Sequence, residues 1–311
     1  MRFSRKRIRS RFWWHYACLM NSQVTLIDGG LSTALESLGN QLNTSLWSGE
    51  LLRNHSDQIR AAHKLYVDAG AQVLITSSYQ VSYPGCVAQG WSESEVDQAL
   101  LASTELARFD GVLVAASVGP YGAYKADGSE YRGNYGLSKD ELKNFHRRRL
   151  AQLIASKPDL LAIETIPELT EAQAIVELLH ELNNSIPFWM TFSCKSATEL
   201  CSGELFADAV KLVRAAPHAM AVGINCTAPD LVAPLLQSAA SAINPRDIPF
   251  ILYPNSGRVW DAVNKVWLGD PELSFTRKQV ASWIELGARY IGGCCGVGPQ
   301  DIARLKPLLH S

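Results

Sequence analysis

The chain has 311 residues, 47% of them hydrophobic and 19% charged, with a formal net charge of −1. That is material for one large core or two small domains, and the net charge gives no sign of a nucleic-acid or membrane partner. No run beyond the N-terminal head approaches the ~18 consecutive apolar residues of a membrane span.

The charge is unevenly placed. Residues 1–19 hold six Lys or Arg and no acid, so the remainder carries a formal −7. A secretory signal would need an uninterrupted apolar stretch, and FWWHYACLM is broken by His15. Met20 opens a second plausible start that runs straight into a strand. Residues 1–19 are therefore expected to be a disordered basic leader or an over-long start, and residues 20–311 the folded domain.

From residue 24 short apolar or β-branched runs alternate with segments of helical period. Eight strands are predicted: VTLI (24–27), QVLITS (72–77), VLVAASV (112–118), LLAIE (160–164), FWMTFS (188–193), MAVGIN (220–225), FILY (250–253) and RYIGG (289–293). Helices are predicted over 56–70, 92–109, 138–156, 170–183, 204–216, 229–243, 276–287 and 299–309. Ser56 and Gly70 read as an N-cap and a C-cap, and Ser92 opens a Ser-x-x-Glu capping box. The strands are apolar on both sides of the pleat, as in parallel sheets covered by helices. Eight strand–helix units in one chain predict a single α/β fold, a (β/α)8 TIM barrel. An open doubly wound sheet is the alternative, weakened because DGGLSTALE after the first strand lacks a G-x-G-x-x-G fingerprint.

A barrel of this kind carries its chemistry at the C-terminal ends of its strands. Those ends read Asp28-Gly29-Gly30, Thr76-Ser77-Ser78-Tyr79-Gln80, Ser117 to Gly122, Glu164-Thr165, Asn225-Cys226, Asn255-Ser256 and Gly292-Gly293-Cys294-Cys295. The chain has seven cysteines at irregular spacing, which suits a reducing, cytoplasmic location better than a disulfide scaffold. Cys226, Cys294 and Cys295 fall on strands 6 and 8 at the same end. Three thiolates there suit Zn²⁺ and would leave one coordination position open, the mark of a catalytic site. Two other readings stand beside this: small buried hydrophobes, which is the expectation for Cys86, Cys194 and Cys201, or a redox disulfide between neighbours. The flanking glycines are expected to give the backbone the freedom to aim both thiols at one point.

The set LIDGGLSTALE, LWSGELL, AGAQVLITSSYQ, SVGPYGAYKADGSEYRGNYG, IETIPE, GINCTAP, YPNSG and GGCCG resembles the homocysteine S-methyltransferase family, zinc-thiolate barrels, from about residue 24 to the end. The GPYGAYKADGSEYRGNY stretch resembles the branch that uses S-methylmethionine. The resemblance implies that Cys226, Cys294 and Cys295 bind zinc and are catalytic, with homocysteine sulfur as the fourth ligand and a sulfonium as methyl donor. It implies Asp28 and Glu164 as partners of the homocysteine amino group, and Trp47 as a pocket aromatic. Tyr79 at the mouth of strand 2 is expected to line the donor site, since an aromatic face attracts a sulfonium. Asn225 and Ser256 are further candidate substrate contacts. Where the betaine branch carries a tyrosine after the carboxylate, this chain has Thr165.

Two rival functions remain open at this level. One is a non-catalytic zinc-binding or redox-sensing barrel. The other is a Schiff-base lyase or aldolase, which wants a strand-end lysine; Lys195 lies past strand 5 in a polar loop. Expected partners are small molecules only, with no nucleic acid or membrane, and the chain is expected to act as a monomer. His63 and His146 read as ordinary helix histidines, and Arg147-Arg148-Arg149 as a solvated helix face.

Overall fold

A computed structural model describes residues 23–42, 44, 46–240, 248–257, 259–261, 266–268 and 275–309. The expected leader, and the end of the helix predicted over 229–243, lie outside the described residues.

Each apolar run forms a strand. β1 (Thr25–Leu26), β2 (Val73–Ile75), β3 (Leu113–Val118), β4 (Leu160–Ile166), β5 (Phe188–Phe192), β6 (Ala219–Asn225) and β7 (Phe250–Tyr253) come in chain order. The antiparallel hairpin β8 (Val259–Asp261) and β9 (Val266–Leu268) follows, then β10 (Ala288–Ile291). The eight parallel strands hydrogen-bond in the order β1-β10-β7-β6-β5-β4-β3-β2. A parallel bridge between Ile27 and Val73 joins the two outer strands. The Asp28 N–H donates to the Val73 carbonyl at 3.1 Å across the same seam. An open doubly wound sheet would leave both edges unpaired; here they meet, and the fold is a (β/α)8 barrel.

Strand alternation divides the core into two layers. Leu161 and Ile163 of β4 pack outward against the helices, with Val114, Met190, Val222 and Leu252 from neighbouring strands. Leu160 and Ala162 point inward with Ala115, Trp189, Ile251 and Tyr253. Glu164 continues the inward parity one layer nearer the mouth. The sequence period thus places a carboxylate inside the barrel.

The helices start and stop for local reasons. Ser92 and Glu95 form the capping box, with Glu95 Oε2 accepting the Ser92 N–H at 2.7 Å. Gly70 ends its helix with φ 97°. Ser56 is inside its helix rather than at the cap; His55 holds that position without a side-chain bond. Short helices over Leu31–Ser37, Leu51–Asn54, Tyr83–Ala88 and Tyr121–Lys125, and the β8–β9 hairpin, were beyond the sequence pattern, being too short to show a period.

Arg149 departs from the expected solvated face. It is buried, and its guanidinium contacts the Gly119 carbonyl and His146 Nδ1. His146 Nε2 meets Glu171 Oε1 at 2.8 Å, and that oxygen also accepts the Tyr121 N–H at 2.6 Å. This polar cluster ties the loop after β3 to the helices behind it. Arg147 and Arg148 do face solvent, paired with Glu181, and with Glu93 and Asp97. His63 is wholly buried, and burial lowers its pKa to about 4, so it stays neutral.

The glycines that end β10 act by closeness rather than by unusual dihedrals. A Cβ on Gly292 would sit 2.5 Å from the Asp28 carbonyl oxygen and 2.3 Å from Ile27 Cγ1. One on Gly293 would sit 2.1 Å from Val297 Cγ1. Neither has positive φ; Gly296, just after the cysteines, does, at 75°. The expected backbone freedom is found at Gly296 and is corrected at the other two: Gly292 lets the ends of β1 and β10 touch, and Gly293 lets Val297 pack against the strand end. Replacing Gly292 with alanine should push these ends apart and cost about 1–3 kcal/mol, an overpacking penalty that a thermal melt would register as a drop of several degrees. An unchanged melting temperature would refute the close-approach account.

Candidate active site

The C-terminal mouth of the barrel holds a half-open cleft with a cavity volume of about 110 Å³. Its walls include Trp47, Tyr79, Tyr131, Glu164, Cys226 and Cys295.

The three cysteines converge there. Their sulfurs all lie within 4.8 Å of one another, a grouping able to hold a metal ion. Cys295 Sγ is 3.7 Å from Cys226 Sγ and 4.0 Å from Cys294 Sγ. Cys226 and Cys294 are disulfide-bonded. The sequence reading had considered a disulfide between adjacent cysteines; the bond instead spans 68 residues. Backbone bonds fix the thiol loops. The Cys226 N–H donates to the Tyr253 carbonyl at 3.2 Å and the Cys294 N–H to the Pro254 carbonyl at 2.8 Å. Ser256 is buried, and its N–H donates to the Cys295 carbonyl at 2.9 Å. Its observed contact with the thiol loop is thus a backbone clamp.

Cys226 also has φ 45°, and Thr165 at the end of β4 has φ 62°. A β-branched residue in this region is a true outlier and is strained. Asn225 holds it: its Oδ1 accepts the Thr165 N–H at 2.8 Å, and its Nδ2 donates to Thr165 Oγ1 at 2.7 Å. The turn breaks the β4 alternation, so Ile166 joins the outer core. Expected as a substrate contact, Asn225 has both ends of its amide engaged by Thr165; it joins the ends of β4 and β6. Thr165 in turn hydrogen-bonds the Tyr79 side chain.

Two buried carboxylates sit beneath this rim. Glu164 accepts from Ser117 Oγ and is hydrogen-bonded to the Tyr253 hydroxyl. That hydroxyl also accepts from Trp189 Nε1 at 3.1 Å and meets Thr191 Oγ1 at 2.7 Å. Burial raises the Glu164 pKa to about 7, with these bonds opposing the shift. Asp28 is more deeply set, in the β1–β2 seam, where its Oδ2 accepts the Ile75 N–H at 2.8 Å. Its Oδ1 is buried without a partner. Burial pushes its pKa well up, and the charge of Glu164 adds to the rise. Neither acid has a cationic partner among the described residues.

The loop after β3 contributes residues that the sequence reading did not single out. Tyr131 lines the cleft and its hydroxyl hydrogen-bonds the Cys295 sulfur. Glu130 lines the cleft beside it and is buried. Burial first, and the charge of Glu130 second, push the Cys295 thiol up to about 11, against the Tyr131 bond. Both residues lie in the GPYGAYKADGSEYRGNYG motif, but nothing in its spacing indicates that they face the cysteines.

A family model described as homocysteine S-methyltransferase matches residues 25–309. The chain belongs to the homocysteine S-methyltransferase family. It is 41% identical to "Homocysteine S-methyltransferase 1" of Zea mays, covering 91% of this chain and 94% of that one. It is 39% identical to "Homocysteine S-methyltransferase YbgG" of Bacillus subtilis, covering 92% and 94%. Among solved structures, the metallated form of the homocysteine methyltransferase MmuM from Escherichia coli superposes with a TM-score of 0.82 at 36% identity, covering 94% of this chain and 98% of that chain. The oxidised form of MmuM superposes with a TM-score of 0.81 at 38% identity, covering 91% and 95%.

Two outcomes test this geometry. Asn225→Ala should cost about 2 kcal/mol in a denaturant melt, since it frees Thr165 from two buried bonds. Adding Thr165→Gly should recover part of that loss, because glycine takes positive φ without strain; no recovery would sink the strain account. For Glu164, the folded pKa lies above the unfolded value. Its contribution to stability is fully present below about pH 4.5 and is lost as pH rises through about 7. Glu164→Gln should therefore melt higher than the parent at pH 8, by about 3 kcal/mol at most, and no higher at pH 4.

Proposed function

We propose that this protein transfers a methyl group from a sulfonium donor, S-methylmethionine or S-adenosylmethionine, to the sulfur of homocysteine, giving methionine, with Cys226, Cys294 and Cys295 holding zinc. The observation that carries this is the meeting of three sulfurs with the Glu164 carboxylate in one cleft, in a chain of this family.

The residues fit the metal. A tetrahedral zinc with bonds of about 2.3 Å to sulfur sets its ligands about 3.8 Å apart. The Cys295 distances of 3.7 and 4.0 Å match two of the three edges. The third edge requires reduction of the Cys226–Cys294 bond, so a reducing thiol is needed before loading. When bound, zinc supplies a soft Lewis acid that keeps the homocysteine sulfur deprotonated at neutral pH, where a free thiol is largely protonated.

The chain's own groups do the rest. Asp28 and Glu164 receive the homocysteine ammonium, and that charge draws Glu164 into its ionised form. Trp47 and Tyr79 offer aromatic surface to the cationic donor. Asn225, Thr165 and Ser256 hold the rim in place. The homocysteine sulfur attacks the methyl carbon in line; a new S–C bond forms as the donor's S–C bond breaks. The donor sulfur leaves as a neutral thioether, so no acid is required and none is placed for it. The catalytic gain is then sulfur activation and alignment. A Schiff-base mechanism finds no support, as Lys195 is partly exposed and pairs with Glu199 at 3.9 Å.

Methionine formation should be measured with each sulfonium donor offered separately to reduced, zinc-supplemented protein. Cys295→Ser should lose both turnover and most of its zinc, while its circular dichroism stays that of the parent. Full activity in a zinc-free Cys295→Ser variant would overturn the proposal. A loaded parent inactive with both donors would overturn the donor assignment.

A further inference from the structure

Besides Glu164, the cleft wall holds a carboxylate that the homocysteine reading does not use. Glu130 is 6% exposed. Its Oε2 is buried and has no hydrogen-bond partner. It forms no ion pair among the described residues. Arg132 is nearby, but its side chain is directed to Asp127, 3.5 Å from Oδ1 and 3.1 Å from the backbone carbonyl.

The position of Glu130 is built rather than incidental. It lies in the 3-10 turn Ser129–Tyr131, and the Ser193 hydroxyl at the end of β5 donates to its carbonyl at 2.8 Å. Gly122 lets the turn approach the start of its own loop: a Cβ there would be 2.4 Å from the Glu130 nitrogen. The carboxylate is thereby set beside Tyr131, Tyr79 and Cys295 in the cleft wall. Its negative charge acts on all three. An unpaired carboxylate buried beside sulfur ligands is costly unless the cleft's occupant is positive.

We propose that Glu130, which shares the cleft wall with Tyr79 and Tyr131, is the counter-charge for the methyl donor and selects a sulfonium over an uncharged molecule of the same shape. This rests on the sulfonium-donor reading above and assigns the donor's side of the site. A sulfonium carries no hydrogen to donate, so it is recognised by charge and aromatic faces alone. The positive charge disappears as the methyl leaves. Glu130 therefore favours the bound donor more than the transition state, and releases the neutral thioether product. Its role is specificity, and its removal should raise the donor KM without lowering kcat.

The test uses the reduced, zinc-loaded full chain and isothermal titration calorimetry. The probes are S-methylmethionine and its uncharged carbon isostere, 2-amino-5-methylhexanoate. The parent should bind the sulfonium at least tenfold more tightly, the order expected of one partly desolvated charge pair. Glu130→Gln should lose most of that preference, Glu130→Asp should keep part of it, and both should bind homocysteine like the parent. A parent without the preference, a Glu130→Gln protein that retains it, or a Glu130→Gln protein whose homocysteine affinity collapses equally would each overturn the assignment. Turnover from S-methylmethionine with an unchanged donor KM in Glu130→Gln would sink the subsite and leave the function standing. A Glu130-dependent preference without methyl transfer would sink the function and leave the subsite.

Discussion

The site depends on a backbone-to-backbone contact between the end of β1 and the end of β10. Gly29 and Gly30 face the carbonyls of Val297 and Cys294, and Gly292 faces Ile27 and Asp28. The contact is tied by Gly30 N–H to the Val297 carbonyl and Gly293 N–H to the Asp28 carbonyl, each at 3.0 Å. From below, the Tyr66 hydroxyl donates to the Gly30 carbonyl at 2.7 Å and lies 3.1 Å from that of Val297. No side chain fits between these strands. Barrel closure and the placing of Cys294 and Cys295 are therefore one event. The carboxylate of Asp28 is set by the same contact that sets the thiols.

On the opposite side of the sheet order, β4 and β6 solve a different problem. Each must turn sharply at its end to present Glu164 and Cys226 while keeping its interior apolar. Both do so with a non-glycine residue in the left-handed region, Thr165 and Cys226. The reciprocal Asn225–Thr165 pair stabilises one strained turn directly from the strand that carries the other. Strain of this kind persists where surrounding bonds over-determine it, and it sits here at the cleft.

The electrostatics of the mouth follow from burial. Asp28, Glu130 and Glu164 are all raised by desolvation before any other cause. Glu164 accepts bonds from Ser117 and Tyr253 that oppose the rise, and its pKa is about 7. By the proposals above, these carboxylates serve an ammonium and a sulfonium. The Cys226–Cys294 bond and the metal-ready spacing of Cys295 are alternative uses of the same three sulfurs, separated by two electrons.

Much of this was legible in the amino-acid order. Strand alternation placed Glu164 inside the barrel, and eight apolar runs predicted eight strands, because a parallel strand covered on both faces must be apolar throughout. Strand-end position brought Cys226, Cys294 and Cys295 to one mouth before any coordinates. Other features required the tertiary structure. Gly292 matters through Ile27 and Asp28, more than 260 residues away in the chain, so local reasoning assigned it the wrong property. Arg149 in an RRR run is buried because its helix face meets the loop after β3, and a charge run carries no sign of which face that is. Asn225 lines the cleft as a strand end should, but its pairing with a threonine on another strand could not be read from local pattern. Glu130 and Tyr131 sit in a loop without period, and their approach to Cys295 is decided by Gly122, Ser193 and the buried His146–Glu171 pair. Periodicity reports which side of an element faces the core. Which loop crosses the mouth, and what it meets there, depends on packing between residues far apart in the chain.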